Sequence, residues 1–259
     1  MKKTKNIFLV LSIFVMTLCS CSNDNDDSVK LLKKVVETSA QGTSETMLFA
    51  YNGTEIVRID GAQKRTDFTY TDGLITKTVV LNKTNQQSET IEYSYLEGKL
   101  VEVESLGNFR IKYSHNSDKT VSYQKFTIGS GNQEVKEFHG ILYFENENLI
   151  KEERVLDTTP VGITSSESIT FDYDAKNNPL FNILGYKKLL DYMETISSNN
   201  SLINTVIATT TNGDQVLSLA NFYKSSFKYD SENYPTEQVS ETALFANGNR
   251  GYLKTQYFY

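Results

Sequence analysis

The sequence predicts a mainly β protein, an antiparallel meander of repeated β-hairpins that forms a curled sheet or a barrel-like shell. Its composition is the first observation: 16 tyrosines and 14 phenylalanines stand beside only three prolines and no tryptophan. Aromatic and β-branched residues favour strands. The second observation is a repeat, in which alternating apolar residues end on an aromatic residue, a polar turn follows, and another alternating stretch leads away. Such internal repetition indicates an architecture built from one small unit.

Each repeat is predicted to be one hairpin. Residues two apart share one face of a strand, so Tyr93 and Tyr95 point to one side and Ser94 to the other. Asp72-Gly73 supplies the positive φ that a tight hairpin turn needs. A half-hairpin at 31–38 and a returning strand at 251–259 complete the plan. The seven repeats cover 48–59, 67–80, 91–105, 109–123, 141–155, 169–183 and 227–240.

One segment, around 180–198, interrupts the strands. Ile183, Tyr186 and Leu190 recur at intervals of three and four residues, as on one face of an α-helix. We therefore predict a single helical insertion with a loose start, because Gly185 is a poor helix residue. The helix would cap the sheet or an open end of a barrel, or else act as a lid or partner-binding element.

Residues 1–20 are predicted to be a lipoprotein signal peptide. Three lysines precede the almost wholly apolar run 7–18, which suits a secretory signal and is shorter than the roughly 20 residues that span a bilayer. The sequence Leu18-Cys19-Ser20-Cys21 resembles a bacterial lipobox, which implies cleavage after Ser20 and lipidation of Cys21. An ordinary cleaved signal and a thiol metal site are the alternatives; a lone Cys-x-Cys is a weak metal pattern.

The acidic segment 21–30 is predicted to be a tether, because it has too little apolar surface to fold. It resembles the export signal behind the lipidated cysteine of Bacteroidota surface lipoproteins. That resemblance implies a lipid-anchored, surface-exposed protein of the outer membrane. Ser28 and Thr158 match the O-glycosylation pattern of the same phylum and are predicted glycosylation sites. Residues 31–259 then form a single domain.

Charge excludes two classes of partner. The chain has 26 basic and 32 acidic residues. Removal of the signal peptide takes away three lysines and no acids, which leaves a net charge of −9. Nucleic-acid binding needs a basic surface, and so does electrostatic binding to anionic headgroups. We expect contact with the membrane through the lipid anchor only.

No residue set predicts catalysis, a cofactor or a metal site. His115 and His139 lack a nucleophile and an orienting acid in any known pattern. The oxygen-rich turn at 172–178 has no glutamate where an EF-hand would close its loop. Alternating acids such as Glu102 and Glu104 fit the solvent face of a strand better than the two carboxylates of a glycosidase.

The turns YDAKNNP (173–179) and YDSENYP (229–235), together with the terminal TQYFY, resemble the YD-repeat-like surface lipoproteins of Bacteroidota. They are more distantly similar to the YD repeats of Rhs and teneurin shells. The resemblance covers most of the chain after residue 45. It implies a curled or barrel-like β architecture and carries no catalytic residues.

We therefore expect a non-enzymatic lipoprotein that binds an extracellular ligand such as a glycan, or that scaffolds an outer-membrane protein partner. One alternative is a carrier of an apolar ligand, favoured by a large cavity capped by residues 183–196. A less favoured alternative is a polysaccharide hydrolase, which would need convergent carboxylates with a raised pKa. A row of exposed aromatic residues would favour glycan binding.

Overall fold

The protein is a closed β-barrel in a computed structural model that describes residues 29–190, 196–244 and 250–259. Sixteen antiparallel strands follow one another around the barrel in chain order. No helical element in these residues is long and apolar enough to cross a membrane. The strands are β1 Lys34–Ser39, β2 Ser44–Asn52, β3 Glu55–Asp60, β4 Lys64–Thr71, β5 Leu74–Asn82, β6 Ser88–Leu96, β7 Lys99–Ser105, β8 Phe109–His115, β9 Val121–Ile128, β10 Glu134–Glu145, β11 Asn148–Leu156, β12 Ile163–Asn177, β13 Asn199–Asn212, β14 Gln215–Tyr229, β15 Pro235–Leu244 and β16 Arg250–Phe258.

Strands β2 to β15 form seven hairpins. Six of them coincide with predicted repeats. The repeat at 169–183 is confirmed only as far as Asn177 in β12, because its predicted outgoing arm lies in the connection that precedes β13. The predicted half-hairpin and returning strand are β1 and β16, and they pair with each other, with Val35 opposite Tyr257. The antiparallel meander is thus confirmed, and it closes. Closure removes the two terminal strand edges, which would otherwise invite aggregation.

The predicted tight turns are also present. Asp72 and Gly73 have φ values of 51° and 74°, and Glu97 and Gly98 have 52° and 71°. Positive φ at both central residues is the type I′ geometry, whose twist matches that of the flanking strands. A non-glycine residue rarely adopts this conformation, so each turn fixes the register of its hairpin at a specific dipeptide.

Alternation gives each strand an inner and an outer face. In β6, Ile91 and Tyr93 are buried inside, whereas Thr90, Glu92 and Ser94 are exposed outside. The inner face supplies the hydrophobic core. Its buried residues are Ile56, Phe68, Ile75, Ile91, Tyr93, Leu100, Val103, Tyr113, Val121, Tyr123, Leu142, Leu149, Ile183, Tyr186, Leu189 and Ile196.

The connection between β12 and β13, which we call the plug (described residues 178–190 and 196–198), supplies the last four of these core residues. The predicted single helix around 180–198 is wrong for the part described, which contains one 3₁₀ turn, Tyr186–Leu189. Gly185 and Leu190 flank that turn with φ values of 72° and 58°. This left-handed conformation cannot continue a right-handed helix.

The barrel has two unlike ends. Turns after even-numbered strands lie at the end that holds the plug. Lys30 lies at this end, because it pairs with Asp230 in the β14–β15 turn at 2.7 Å. Tyr259 lies there too, because its hydroxyl donates to the Pro235 carbonyl at 3.0 Å. Turns after odd-numbered strands form the distal end. The wall is tallest at β12 to β14, which have 14 or 15 residues, against six in β1 and β3.

Candidate functional site

Tyrosines of the repeats anchor the plug end from inside. The hydroxyl of Tyr51 donates to the Leu32 carbonyl at 2.7 Å, that of Tyr95 to Ile75 at 2.8 Å, and that of Tyr173 to Leu149 at 2.8 Å. In each case the acceptor is a backbone carbonyl in the strand that precedes the tyrosine's own strand, or in the segment that leads into that strand. Burial of such rings raises the pKa of the hydroxyl, to about 12 at Tyr70 and at Tyr93. These tyrosines hold the hairpins in register, and their rings are buried or half-buried on the inner face.

The plug is tied to the turns around it. The Leu184 amide donates to the Thr54 carbonyl at 3.0 Å, and the Tyr70 hydroxyl donates to the Leu184 carbonyl at 3.1 Å. On the opposite side, Lys187 pairs with Glu147 in the β10–β11 turn at 2.6 Å. That ammonium group lowers the pKa of the Glu147 carboxyl. The plug therefore closes its end of the barrel through contacts with several hairpins.

A cavity of about 290 Å³ lies between the plug and the wall. Leu100, Phe144 and Ile196 give it apolar surface, and Lys187 and Lys188 border it with positive charge. Small-molecule sites typically have about 300–1,000 Å³, so this space is at their lower limit. The carrier interpretation asked for a large cavity under the cap, and the described residues provide a small one.

A buried charged cluster lies on the inner wall higher up the barrel. The Glu152 carboxylate accepts hydrogen bonds from the Tyr123 hydroxyl and from the Arg154 guanidinium, the latter at 2.7 and 3.0 Å. Arg154 also lies over the ring of Phe138, 4.5 Å from its centroid. Burial by itself would lower the pKa of the Arg154 guanidinium, but Glu152 and the Tyr123 hydroxyl together raise it.

No sequence pattern singled out this cluster. Glu152 and Glu153 are adjacent in the sequence, but the register places them on opposite faces: Glu152 lies opposite Ile169 inside, and Glu153 opposite Ser168 outside. The alternation of side chains between the two faces of a strand could have revealed the cluster in the sequence. Glu152 falls on the same face as Arg154, two positions away.

The acids of the outer wall form ion pairs at the surface. Arg110 donates to Glu104 and to Glu134, and lies 3.7 Å from Glu102. Glu102 and Glu104 thus occupy the solvent face of β7, as predicted. The same pattern recurs on the far side of the barrel, where Glu237 pairs with two lysines, Lys228 and Lys254, each at 2.7 Å.

Glu37 and Glu45 form a facing pair of carboxylates on the inner wall, directly opposite each other on β1 and β2. Burial, and then the charge of Glu45, raise the pKa of Glu37. This is the feature that the hydrolase alternative asked for. Its neighbours on the same face include the apolar Val35 and Met47 and the buried hydroxyl of Thr255, which lies opposite Glu37 on β16. The carboxylate pair is the feature on which that alternative rests.

The predicted modification sites fall in two places. Cys21 and Ser28 lie outside the described residues. Thr158 is exposed in the β11–β12 turn at the distal end, beside Asp157, which His139 holds at 2.8 Å. Within the described residues, no three His, Cys, Asp or Glu side chains converge in a way that could hold a metal ion.

Comparison with known proteins relates the chain to others through its fold. No protein-family model matches the sequence, and no curated protein is significantly similar to it; the resemblance to YD-repeat lipoproteins therefore stays a prediction. Two solved structures share the barrel, both described as porin-like proteins of Bacteroides. The first, from Bacteroides vulgatus ATCC 8482, is 13% identical with a TM-score of 0.54, over 89% of this chain and 99% of that one. The second, from Bacteroides uniformis ATCC 8492, is 10% identical with a TM-score of 0.50, over 88% and 97%.

Proposed function

We propose that the protein is a non-enzymatic lipoprotein of the outer membrane, anchored through Cys21, whose barrel stands in water and binds or scaffolds a protein partner. The observation that carries the proposal is the polarity of the wall. A barrel embedded in lipid has an apolar band about 25 Å tall on its outside and a polar interior. Here the apolar core is inside, and ion pairs such as Arg58–Asp67 and Lys228–Glu237 lie outside.

The outer face is polar on strands around much of the barrel, and exposed apolar side chains such as Val216 and Phe222 interrupt it on β14. Thr90, Glu92 and Ser94 cover β6, Arg110 lies on β8, and Lys254 on β16. A charged side chain on the lipid face of a barrel costs about 2–4 kcal/mol at the bilayer midplane. The summed cost of placing these charged side chains against lipid favours water around the wall of the barrel.

The tether sets the orientation. Cys21 is nine residues before Lys30, which lies at the plug end. An extended chain spans at most about 3.6 Å per residue, so the plug end would lie within about 30 Å of the membrane surface. The distal end then points away from the membrane and is the end available to a partner.

Exposed apolar side chains at the distal end favour a protein partner over a glycan. Leu106, Val161 and Leu217 are among the most exposed large apolar residues, and all three lie near turns of the distal end. Glycan binding would favour a row of exposed aromatic rings, whereas the tyrosines of the repeats are turned inward. Exposed apolar side chains near three separate turns give a protein partner several points of contact.

The second candidate is a barrel embedded in the outer membrane, which the description of the two Bacteroides structures as porin-like favours. Both candidates place the protein in the outer membrane. They differ in what holds it there, because the first depends on acyl chains at Cys21 and the second on the wall of the barrel.

Replacing Cys21 with alanine separates the two. We expect Cys21→Ala to abolish palmitate incorporation. When the same mature chain is placed behind a cleavable signal peptide that is not a lipoprotein signal, we expect it to move from the membrane pellet to the soluble fraction. The reason is that the acyl chains anchor the protein with about 0.8 kcal/mol per buried methylene. Fractionation with radiolabelled palmitate measures both. If the chain with the exchanged signal remains in the outer membrane and needs detergent for extraction, the embedded barrel is correct.

Thr158 and Ser28 are proposed O-glycosylation sites, and the exposure of Thr158 at the distal end supports access by a transferase. We expect mass spectrometry of the protein from its source to show a glycan mass on the peptide with Thr158, and its loss in Thr158→Ala. The neighbouring Thr159, whose hydroxyl donates to the Ile163 carbonyl at 2.8 Å, serves as the matched control. An unmodified peptide in the native protein would contradict the proposal.

A further inference from the structure

Strands β13 and β14 part before they reach the plug end. Their ladder begins at the turn between them, and its last pair among the described residues is Ile203 with Lys224. Beyond that pair β13 extends back to Asn199 beside β12, and β14 continues to Tyr229 beside β15. A cavity of about 470 Å³ lies in the wedge between the two strands. We call it the wall slot.

Described residues bound the wall slot at both ends. The pair of Ile203 and Lys224 closes the end toward the distal turns. At the end toward the plug, the Tyr229 hydroxyl of β14 donates to the carboxylate of Asp174 in β12. The same carboxylate accepts the Asn200 amide of β13 at 3.2 Å. This hydrogen-bonded bridge joins the parted sides again, so the slot is a bounded opening in the wall.

The two internal stretches that the structure does not describe are flanked by residues at other places. Leu190 and Ile196 border the cavity at the plug, together with Leu100 of β7. Leu244 and Arg250 pair with each other near the distal end, on β15 and β16. The wall slot is instead lined by described residues of β12, β13 and β14.

The lining of the wall slot is mainly apolar. Leu202 and Ile203 line it from β13 and Phe227 from β14, and the Phe227 ring stacks on that of Tyr229 with centroids 6.0 Å apart. Four consecutive residues of β14, from Lys224 to Phe227, border the slot. Neighbours along a strand point to opposite faces, so the slot passes between the strands rather than along one face. Such a shape suits a narrow, elongated apolar group.

The charges at the wall slot indicate the polar end of its ligand. Lys224 is exposed and forms no ion pair among the described residues, although Glu241 lies opposite it in the ladder. Lys176 bonds only the neutral amide oxygen of Asn233, at 2.6 Å. The acid of the lining, Asp174, already accepts the Tyr229 hydroxyl. The group that can take a new partner is therefore a cation.

We propose that the wall slot binds an aliphatic carboxylate, with its chain between Leu202 and Phe227 and its carboxylate at Lys224. The volume lies within the range of about 300–1,000 Å³ that is usual for small-molecule sites. The slot is separate from the distal turns at which a protein partner would bind, so this site goes beyond the proposed function.

Photolabelling of outer membranes that carry the full chain tests the site. The probe is a twelve-carbon carboxylate with a diazirine in its chain, and its methyl ester is the uncharged control. We expect the acid to label peptides that contain Leu202, Ile203 or Phe227. Lys224→Ala should reduce labelling by the acid about fivefold, the loss expected for one exposed ion pair, and should leave labelling by the ester unchanged.

Lys228→Ala is the matched control, because Lys228 lies on the same strand but pairs with Glu237 at 2.7 Å and does not line the slot. It should label like the parent chain. A second pair of variants tests the apolar part: Leu202→Asp should abolish labelling by acid and ester alike, whereas Ile207→Asp, on the exposed face of the same strand, should not.

Equal labelling of the parent chain and Lys224→Ala by the acid would overturn the proposal, and so would a label spread over the exposed peptides of the barrel. Each variant is compared with the parent chain in the same type of membrane, so the comparison does not depend on how the protein is anchored. A failure here is therefore distinct from a failure of the proposed function.

Discussion

Replacing Gly140 with alanine is expected to destabilise the barrel by about 3 kcal/mol or more, at the upper end of the range for overpacked cores. A methyl group at Gly140 would lie 2.1 Å from the Glu153 carbonyl oxygen and 2.7 Å from the ring of Tyr123. Neither neighbour can withdraw cheaply. The carbonyl belongs to the β11 backbone, and the Tyr123 hydroxyl is held by Glu152. In a domain of this size, such a loss lowers the melting temperature by about 6–12 °C.

Gly129→Ala is the matched control. Its added methyl group would meet nothing closer than the Gln133 carbonyl oxygen at 3.6 Å, and its φ of −84° suits any residue. We expect a change within about 0.5 kcal/mol, or a small gain from reduced entropy of the unfolded chain. Thermal unfolding of both variants gives the comparison. Equal melting temperatures would show that β10 and β11 can separate around Gly140 without loss of packing.

The repeats could be found in the sequence because each one encodes its own hairpin. Alternation selects the inner face of a strand within a few residues, and a dipeptide such as Asp72-Gly73 determines where the chain reverses. Both signals are local. Six of the seven hairpins follow from them and agree with the structure. The exception is the repeat at 169–183, because the partner of β12 is β13 at Asn199–Asn212, beyond the predicted repeat.

Closure of the barrel and the conformation of the plug depend on contacts between distant residues. Val35 and Tyr257 pair across the whole length of the chain, and their local sequence is that of any strand. In the plug, the spacing of Ile183 and Tyr186 correctly indicated which side chains are buried. It did not indicate the backbone path, because the surrounding wall holds the Leu184 amide and carbonyl at Thr54 and Tyr70 and so replaces the bonds that a helix would make.

Candidate functional residues could be predicted from the sequence only where a short contiguous motif identifies them. The lipobox ending at Cys21 and the Asp-Thr pattern at Thr158 are of this kind, and both remain proposals. The Glu37–Glu45 pair arises from the register between two strands. Neither strand sequence by itself encodes which residue lies opposite its own.

The charged cluster inside the wall leads to the second large effect. We expect Glu152→Ala to cost about 3 kcal/mol, at the lower end of the range for breaking a buried pair, because the Arg154 side chain that loses its main partner is 28% exposed. Among the described residues, Arg154 would keep one acidic partner, Glu167 at 3.5 Å, and the Tyr123 hydroxyl would lose its carboxylate acceptor. The loss of stability should appear as a melting temperature lower by about 6 °C or more.

Glu153→Ala is the control that separates burial from charge. It removes the same group one residue later, but on the outer face, where Glu153 pairs with Lys151 and the Tyr143 hydroxyl near solvent. A surface pair of this kind contributes about 0–1 kcal/mol. The double variant Glu152→Leu/Arg154→Met should recover most of the stability lost in Glu152→Ala, since apolar residues of similar volume can replace a buried ion pair at little cost. If Glu152→Ala and Glu153→Ala have the same melting temperature, the inner wall around Glu152 is hydrated and the cluster is not buried.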